Sequence, residues 1–125
     1  MMAEAKKILY VQTSGTDTPE RLYSPLILAQ TAKAMGQEAT VYFLGLGIKN
    51  LVKGEAEKVK IGEFPTLKEV LQQTASQGIQ LMACQQSLQL FGGEIKAEEL
   101  IEEATIAGAA TLNDLALDAD AILTF

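Results

Sequence analysis

Short apolar runs alternate with longer amphipathic stretches along this chain, the pattern of a parallel β-sheet covered by helices. Lys7 to Gln12 is an Ile-Leu-Tyr-Val run that reads as a buried strand and ends in the polar turn Thr13 to Asp17. A helix follows, with two competing start signals: Thr18 before Pro19, and Ser24 before Pro25 six residues later. If the first is used, Pro25 falls inside the helix and bends it. Either way the helix runs to Met35 and stops at Gly36, with Leu22, Leu26, Ala29 and Lys33 on one stripe and Leu28, Ala32 and Met35 beside it.

A second strand, Ala39 to Leu44, leads into Gly45-Leu46-Gly47, a turn in which the backbone bends sharply or approaches something closely. Residues 48–64 read as a short helical turn near Ile48 to Val52 followed by an exposed loop. Pro65 then precedes Thr66-Leu67-Lys68-Glu69, a capping box, and Leu67, Val70, Leu71 and Ala75 form the apolar stripe of a helix that Gly78 ends. Ile79 to Ala83 reads as a third strand and Gln85 to Phe91 as a short helix closed by Gly92-Gly93. A helical turn over Ala97 to Glu102, a strand at Thr105 to Ala107, a helix from Ala110 to Ala119 and a last strand at Ile122 to Phe125 complete the chain. With right-handed crossovers, these elements predict a three-layer α/β/α sandwich on a five-stranded, mainly parallel sheet, as one domain over residues 1–125.

Composition narrows the chemistry. The chain has 125 residues, one cysteine, no histidine and no tryptophan. With Cys84 alone there is no internal disulfide and no zinc ribbon or finger. The missing histidine excludes Ser-His and Cys-His pairs, the usual imidazole metal sites and histidine acid-base work; the reading carries no metal and no cofactor. A net charge of −6 argues against a nucleic-acid surface, which needs clustered Lys and Arg. That charge is local: residues 97–125 hold seven acids and no base, most simply a solvated helical face. No apolar run approaches the roughly 18 residues of a membrane span, and Ile8 to Val11 is too brief for a signal peptide. The expectation is a cytoplasmic protein with a reduced thiol.

In parallel sheets, ligands bind beyond the carboxyl ends of the strands, where the strand-to-helix loops converge. Ser14 and Thr16 follow the first strand, Gly45 and Gly47 the second, and Cys84 the third. A thiol at the start of the helix Gln85 to Phe91 feels its positive end, which favours the nucleophilic thiolate. Ser87 lies one helical turn on, in position to donate a hydrogen bond to the sulfur, with Gln85 between them. The plainer alternative is a small, buried, inert cysteine at a strand end.

The sulfur chemistries differ in what else they require. A phosphatase-like loop needs an arginine soon after the cysteine, and Leu88, Gln89 and Leu90 supply none. Cysteine-protease chemistry needs a base that the chain lacks. A thioredoxin-like site needs a proline opposite the thiol, which is hard to place among Pro19, Pro25 and Pro65. A thiol peroxidase has no second cysteine for resolution within the chain. Persulfide carriage asks only for a positioned thiolate. Gly45-x-Gly47 lacks the third glycine of a dinucleotide fingerprint. Asp17 and Thr18 read as helix caps rather than part of a metal site with Glu20, and the lysines of residues 49–60 as solvated or as a rim for an anionic sulfur donor.

Ala34-Met35-Gly36 at the end of the proline-bearing helix, Phe43-Leu44-Gly45, Leu81-Met82-Ala83-Cys84 and the closing Ala119-Asp120-Ala121-Ile122-Leu123-Thr124-Phe125 resemble the DsrE/DsrF-like proteins over nearly the whole chain. The resemblance implies an α/β/α sandwich that assembles into homotrimers, hexamers or hetero-hexamers. It also implies a cysteine, Cys84 here, that takes persulfide sulfur from a donor protein and passes it to an acceptor. The neutral residues after Cys84 depart from a basic site, so basic help would come from another loop or subunit.

Overall fold

The structure is a computed structural model and describes residues 5–125. The first four positions of the expected 1–125 domain lie outside the described residues. Five strands, β1 (Lys7–Gln12), β2 (Glu38–Phe43), β3 (Gln80–Cys84), β4 (Ala104–Ala107) and β5 (Ala121–Thr124), form one sheet in the order β4-β3-β2-β1-β5. All four pairings are parallel, as the alternation of apolar runs and helices predicts.

From β1 to β4 the chain steps in one direction across the sheet; from β4 to β5 it returns past β1 to the opposite edge. Right-handed crossovers therefore place the early connections on one face and the last on the other. The core follows that division. α1 (Ser24–Ala34) and α2 (Leu67–Ser76) bury Leu26, Ala29, Leu67, Val70 and Leu71 against Tyr10, Val41, Phe43 and Leu81. On the other face α3 (Ala109–Asp118) brings Leu112, Leu115 and Ala116 to Leu9, Val11, Tyr42 and Cys84. The sandwich has three layers of unequal quality, since α3 contains no fully buried residue.

Both proline signals are used, each for its own element. Pro19–Arg21 is a single 3-10 turn, and α1 begins independently at Ser24 with Pro25 in its first turn, where the missing amide costs nothing. Neither Thr18 nor Ser24 acts as a side-chain cap: the Thr18 hydroxyl donates to the Gly15 carbonyl at 3.1 Å, and Ser24 lies inside the helix. The capping box at α2 is half formed, with the Thr66 hydroxyl accepting the Glu69 amide at 3.3 Å. Leu28 and Met35, expected beside the buried stripe, are exposed, because α1 packs only through Pro25, Leu26, Ala29 and Ala32.

Three regions refine the sequence-based expectation. Gly45–Leu51 is a continuous 3-10 segment rather than a turn and a separate helix. The helical turn expected near Ile48 to Val52 is present within it and buries Ile48, Asn50 and Leu51, but the loop expected after it is not wholly exposed: Ala56 and Val59 are buried, and the segment 48–64 closes one end of the core over α2. Its charged positions, among them Lys49, Lys53 and Lys58, conceal that role because they alternate with the apolar ones on the outer side. Finally, the short helix expected after Cys84 is present as a 3-10 helix, Gln86–Phe91, capped by Gly92.

Candidate functional site

Cys84 ends β3 and faces the α3 side of the sheet, 7% exposed, in a cluster with Leu9, Val11 and Tyr42. Burial among these side chains pushes the thiol pKa up. The donors around the sulfur outweigh that effect and hold it below the ordinary thiol value: the Ser87 hydroxyl and amide, the Tyr42 hydroxyl and the Gln86 amide. The six-residue 3-10 helix Gln86–Phe91 is too short for a helix dipole to matter. Local amides take its place. The successive Gln86 and Ser87 amides at the start of the 3-10 segment both act to lower the thiol pKa.

Ser87 is 7% exposed and fully employed. Its oxygen accepts the Gly45 amide at 2.8 Å, which leaves its own hydrogen for the sulfur. The thiol hydrogen points to the Gln86 side-chain oxygen at 3.8 Å, and that oxygen also accepts the Ala109 amide at 3.1 Å. Gln85, named from the sequence, contributes only backbone: its amide donates to the Ala107 carbonyl at 2.8 Å and its side chain is exposed. The neighbouring Gln86 is the side chain that engages the site.

The loop after β1 joins indirectly. Gly47 lies against β1 so closely that a Cβ there would stand 2.1 Å from the Gln12 carbonyl oxygen; the need for glycine is close approach. Asn50, 1% exposed, donates from its side-chain nitrogen to the Ser14 carbonyl at 2.9 Å and the Gly47 carbonyl at 3.0 Å. Its side-chain oxygen is buried with no partner among the described residues. Gln12, also buried, accepts the Ser14 amide at 2.7 Å and donates to the Arg21 carbonyl at 3.0 Å. Ser14 is thus gripped through its backbone, while Thr16 sits half-buried at the turn; no hydrogen bond among the described residues joins either hydroxyl to Cys84.

Tyr42, Gln86, Asn50 and Gln12 escape a reading by motif. Tyr42 carried the one usable signal, since a tyrosine inside a buried strand must find a partner for its hydroxyl. No group of three or more acidic or cysteine side chains able to hold a metal occurs among the described residues. The amides and hydroxyls around the sulfur suit a sulfur anion. A cleft of about 360 Å³, lined in part by Lys7, Lys33, Glu38 and Asp118, lies at the amino ends of β1, β2 and β3, the opposite edge of the sheet from Cys84. No helix among the described residues is long and apolar enough to cross a membrane.

Comparison with known proteins places this arrangement in context. A family model described as the DsrE/DsrF-like family matches residues 6–125. The chain is 30% identical over 105 residues to the uncharacterized protein MJ0760 of Methanocaldococcus jannaschii, an alignment covering 84% of this chain and 38% of that protein. The chain therefore spans well under half the length of that relative. Its fold is similar to the crystal structure of the ychN protein from E. coli, with a TM-score of 0.77 at 21% identity, covering 96% of this chain and 99% of that one.

Proposed function

This chain belongs to the DsrE/DsrF-like family, and from that premise we propose that it is a persulfide sulfur carrier in an intracellular sulfur relay, with Cys84 as acceptor and donor. The observation that carries the reading is the set of four donors that hold a nearly buried thiol below its ordinary pKa. A structural cysteine in an apolar cluster needs none of them.

The chemistry balances without an external oxidant or a base. The Cys84 thiolate attacks the terminal sulfur of a donor persulfide; the donor's S–S bond breaks, a new S–S bond forms on Cys84, and the donor departs as a thiolate. An acceptor thiolate then attacks the outer sulfur of the Cys84 persulfide and returns Cys84 to its thiolate form. The Ser87 and Gln86 amides and the Ser87 and Tyr42 hydroxyls stabilise the anion before attack and again after transfer. Ser14, Thr16, Gly45 and Gly47 serve as framework, with Gly45 acting through its bond to Ser87. Such a relay belongs in a reducing compartment, so a cytoplasmic location and a single domain over residues 1–125 are parts of the proposal.

A gain of about 32 Da, one sulfur atom, after incubation with polysulfide or a persulfide-loaded donor is expected for the wild-type chain and not for Cys84→Ser. No adduct with any donor would overturn the reading.

A second reading, an assembly module with a structural cysteine, draws on a different observation. β5 is exposed along its length and α3 on its outer side, with Leu117 81%, Ile122 49% and Leu123 42% exposed. β5 is an edge strand with apolar side chains, a surface suited to another copy of the chain. The two readings are compatible, and a homotrimer or hexamer is expected under either.

A further inference from the structure

The geometry points to Tyr42 as a positioning residue for the Cys84 sulfur: its one phenolic hydrogen passes from the carbonyls at the start of α3 to the sulfur when the thiol ionises. This inference rests on the reading of Cys84 as a working thiol. Tyr42 is fully buried on the same face as Cys84, and its hydroxyl donates to the Gly108 carbonyl at 2.8 Å and the Ala107 carbonyl at 3.2 Å. Cys84 shares the Tyr42 cluster and is the register partner of Ala107 across β3 and β4, which sets the thiol beside the carbonyl that the Tyr42 hydroxyl bonds. One hydrogen cannot serve all three at full strength.

The present acceptors do not depend on it. Gly108 also accepts the Leu112 amide at 3.3 Å, and Ala107 also accepts the Gln85 amide at 2.8 Å. The hydroxyl can therefore turn away without orphaning a buried carbonyl, the usual penalty for breaking such a bond. A thiolate attracts it more strongly than a neutral carbonyl, because hydrogen bonds to an ionised partner are roughly twice as strong. On ionisation the thiol proton leaves to solvent, the phenolic proton stays covalently on oxygen, and only its hydrogen bond moves. Gln86 completes the exchange: its side-chain oxygen loses the S–H donor and keeps the Ala109 amide. Both side chains thus connect the state of the sulfur to the first residues of α3.

The elements around the sulfur present Tyr42 from β2, Ser87 and Gln86 from the 3-10 segment, the Ala107–Gly108 carbonyls beyond β4, and Leu112 and Ala116 from α3. Tyr42 is the titratable group among them. The charged groups on the packed elements lie away from the sulfur: Asp114 and Asp118 are exposed on α3, Glu38 is exposed at the amino end of β2, and Lys7 at the amino end of β1 pairs with Asp118.

The full chain and its Tyr42→Phe variant are compared by the rate of iodoacetamide alkylation across pH. Phenylalanine keeps the ring in place and both carbonyls keep a donor. The expected result is a midpoint at higher pH and a rate at neutral pH about tenfold slower. An unchanged midpoint in a folded variant would overturn the inference and leave Tyr42 as a brace for Gly108. Near-UV tyrosine difference spectra of the wild-type chain test it without that variant. A band shift that follows the thiol titration and vanishes in Cys84→Ala supports it, and a flat tyrosine band across that titration overturns it. Tyr10 and Tyr23 bond to carbonyls on the opposite face of the sheet and do not report on the sulfur. Both measurements read ionisation rather than sulfur loading, so a missing persulfide adduct is separable from a failure here.

Discussion

The Ser87 hydroxyl oxygen accepts the Gly45 amide at 2.8 Å and so ties the segment after β2 to the 3-10 segment that follows Cys84. The same side chain acts to lower the Cys84 pKa, so one hydroxyl both fastens the two segments and favours the thiolate.

Ser87→Ala removes both functions. Neutral-pH alkylation of Cys84 should slow roughly tenfold through the lost donor, and stability should fall by about 1 kcal/mol through the unpaired Gly45 amide. Alkylation rates and a denaturant titration on the same sample separate the two effects. Unchanged reactivity with reduced stability would make Ser87 a fastener only.

Gly47→Ala has a different target. The added carbon would overlap the Gln12 carbonyl, which belongs to the strand backbone and cannot swing aside. A loss of about 3 kcal/mol or more is expected, at or above the upper range for overpacking, read as a lower denaturation midpoint. Near wild-type stability would mean that the 3-10 segment can lift from β1.

Asn50→Ala should cost about 1 to 3 kcal/mol, because the Ser14 and Gly47 carbonyls lose their shared donor in a buried setting. The unpartnered Asn50 oxygen works in the opposite sense, since removing it relieves a buried acceptor. Chemical denaturation gives the net value, and a gain in stability would show that this acceptor costs more than the two bonds return.

Alkaline pH acts on the site in two opposed ways. The Cys84 pKa is lowered in the folded chain, so stability rises as pH climbs from the folded thiol value to the ordinary one. Burial, followed by the Cys84 charge, pushes Tyr42 up to about 12, whereas the unfolded chain releases that proton near 10. Between those two values the folded state holds more protons, and stability falls by about 2 to 3 kcal/mol. Tyr10 and Tyr23 are raised by burial and add in the same direction. Stability curves of wild-type and Tyr42→Phe chains over this range should diverge, with the variant flatter; parallel curves would remove Tyr42 from the account.

The exposed apolar positions of α3 and β5 predict self-association. Light scattering should give a mass well above one chain, and Leu117→Glu with Ile122→Lys should lower it by placing charge on the covered face. A monomeric wild-type mass would contradict the expectation.

The sequence by itself determined the order and type of the regular elements, because strand and helix periodicities are local. Lys7–Gln12 is matched to the residue, and the other strands to within about one position. It also placed Cys84 at the end of a strand and, through the absence of histidine, removed the chemistries that need an imidazole. Tertiary structure alone decided what surrounds the sulfur. Tyr42 lies on a different strand, and Ser87 reaches Gly45 across 42 positions of sequence. Asn50 gains its role only when Ser14 and Gly47 are folded against it. The loop after Val52 misled for the same reason: the burial of Ala56 and Val59 depends on α2 and the residues beyond β3, which no local period records.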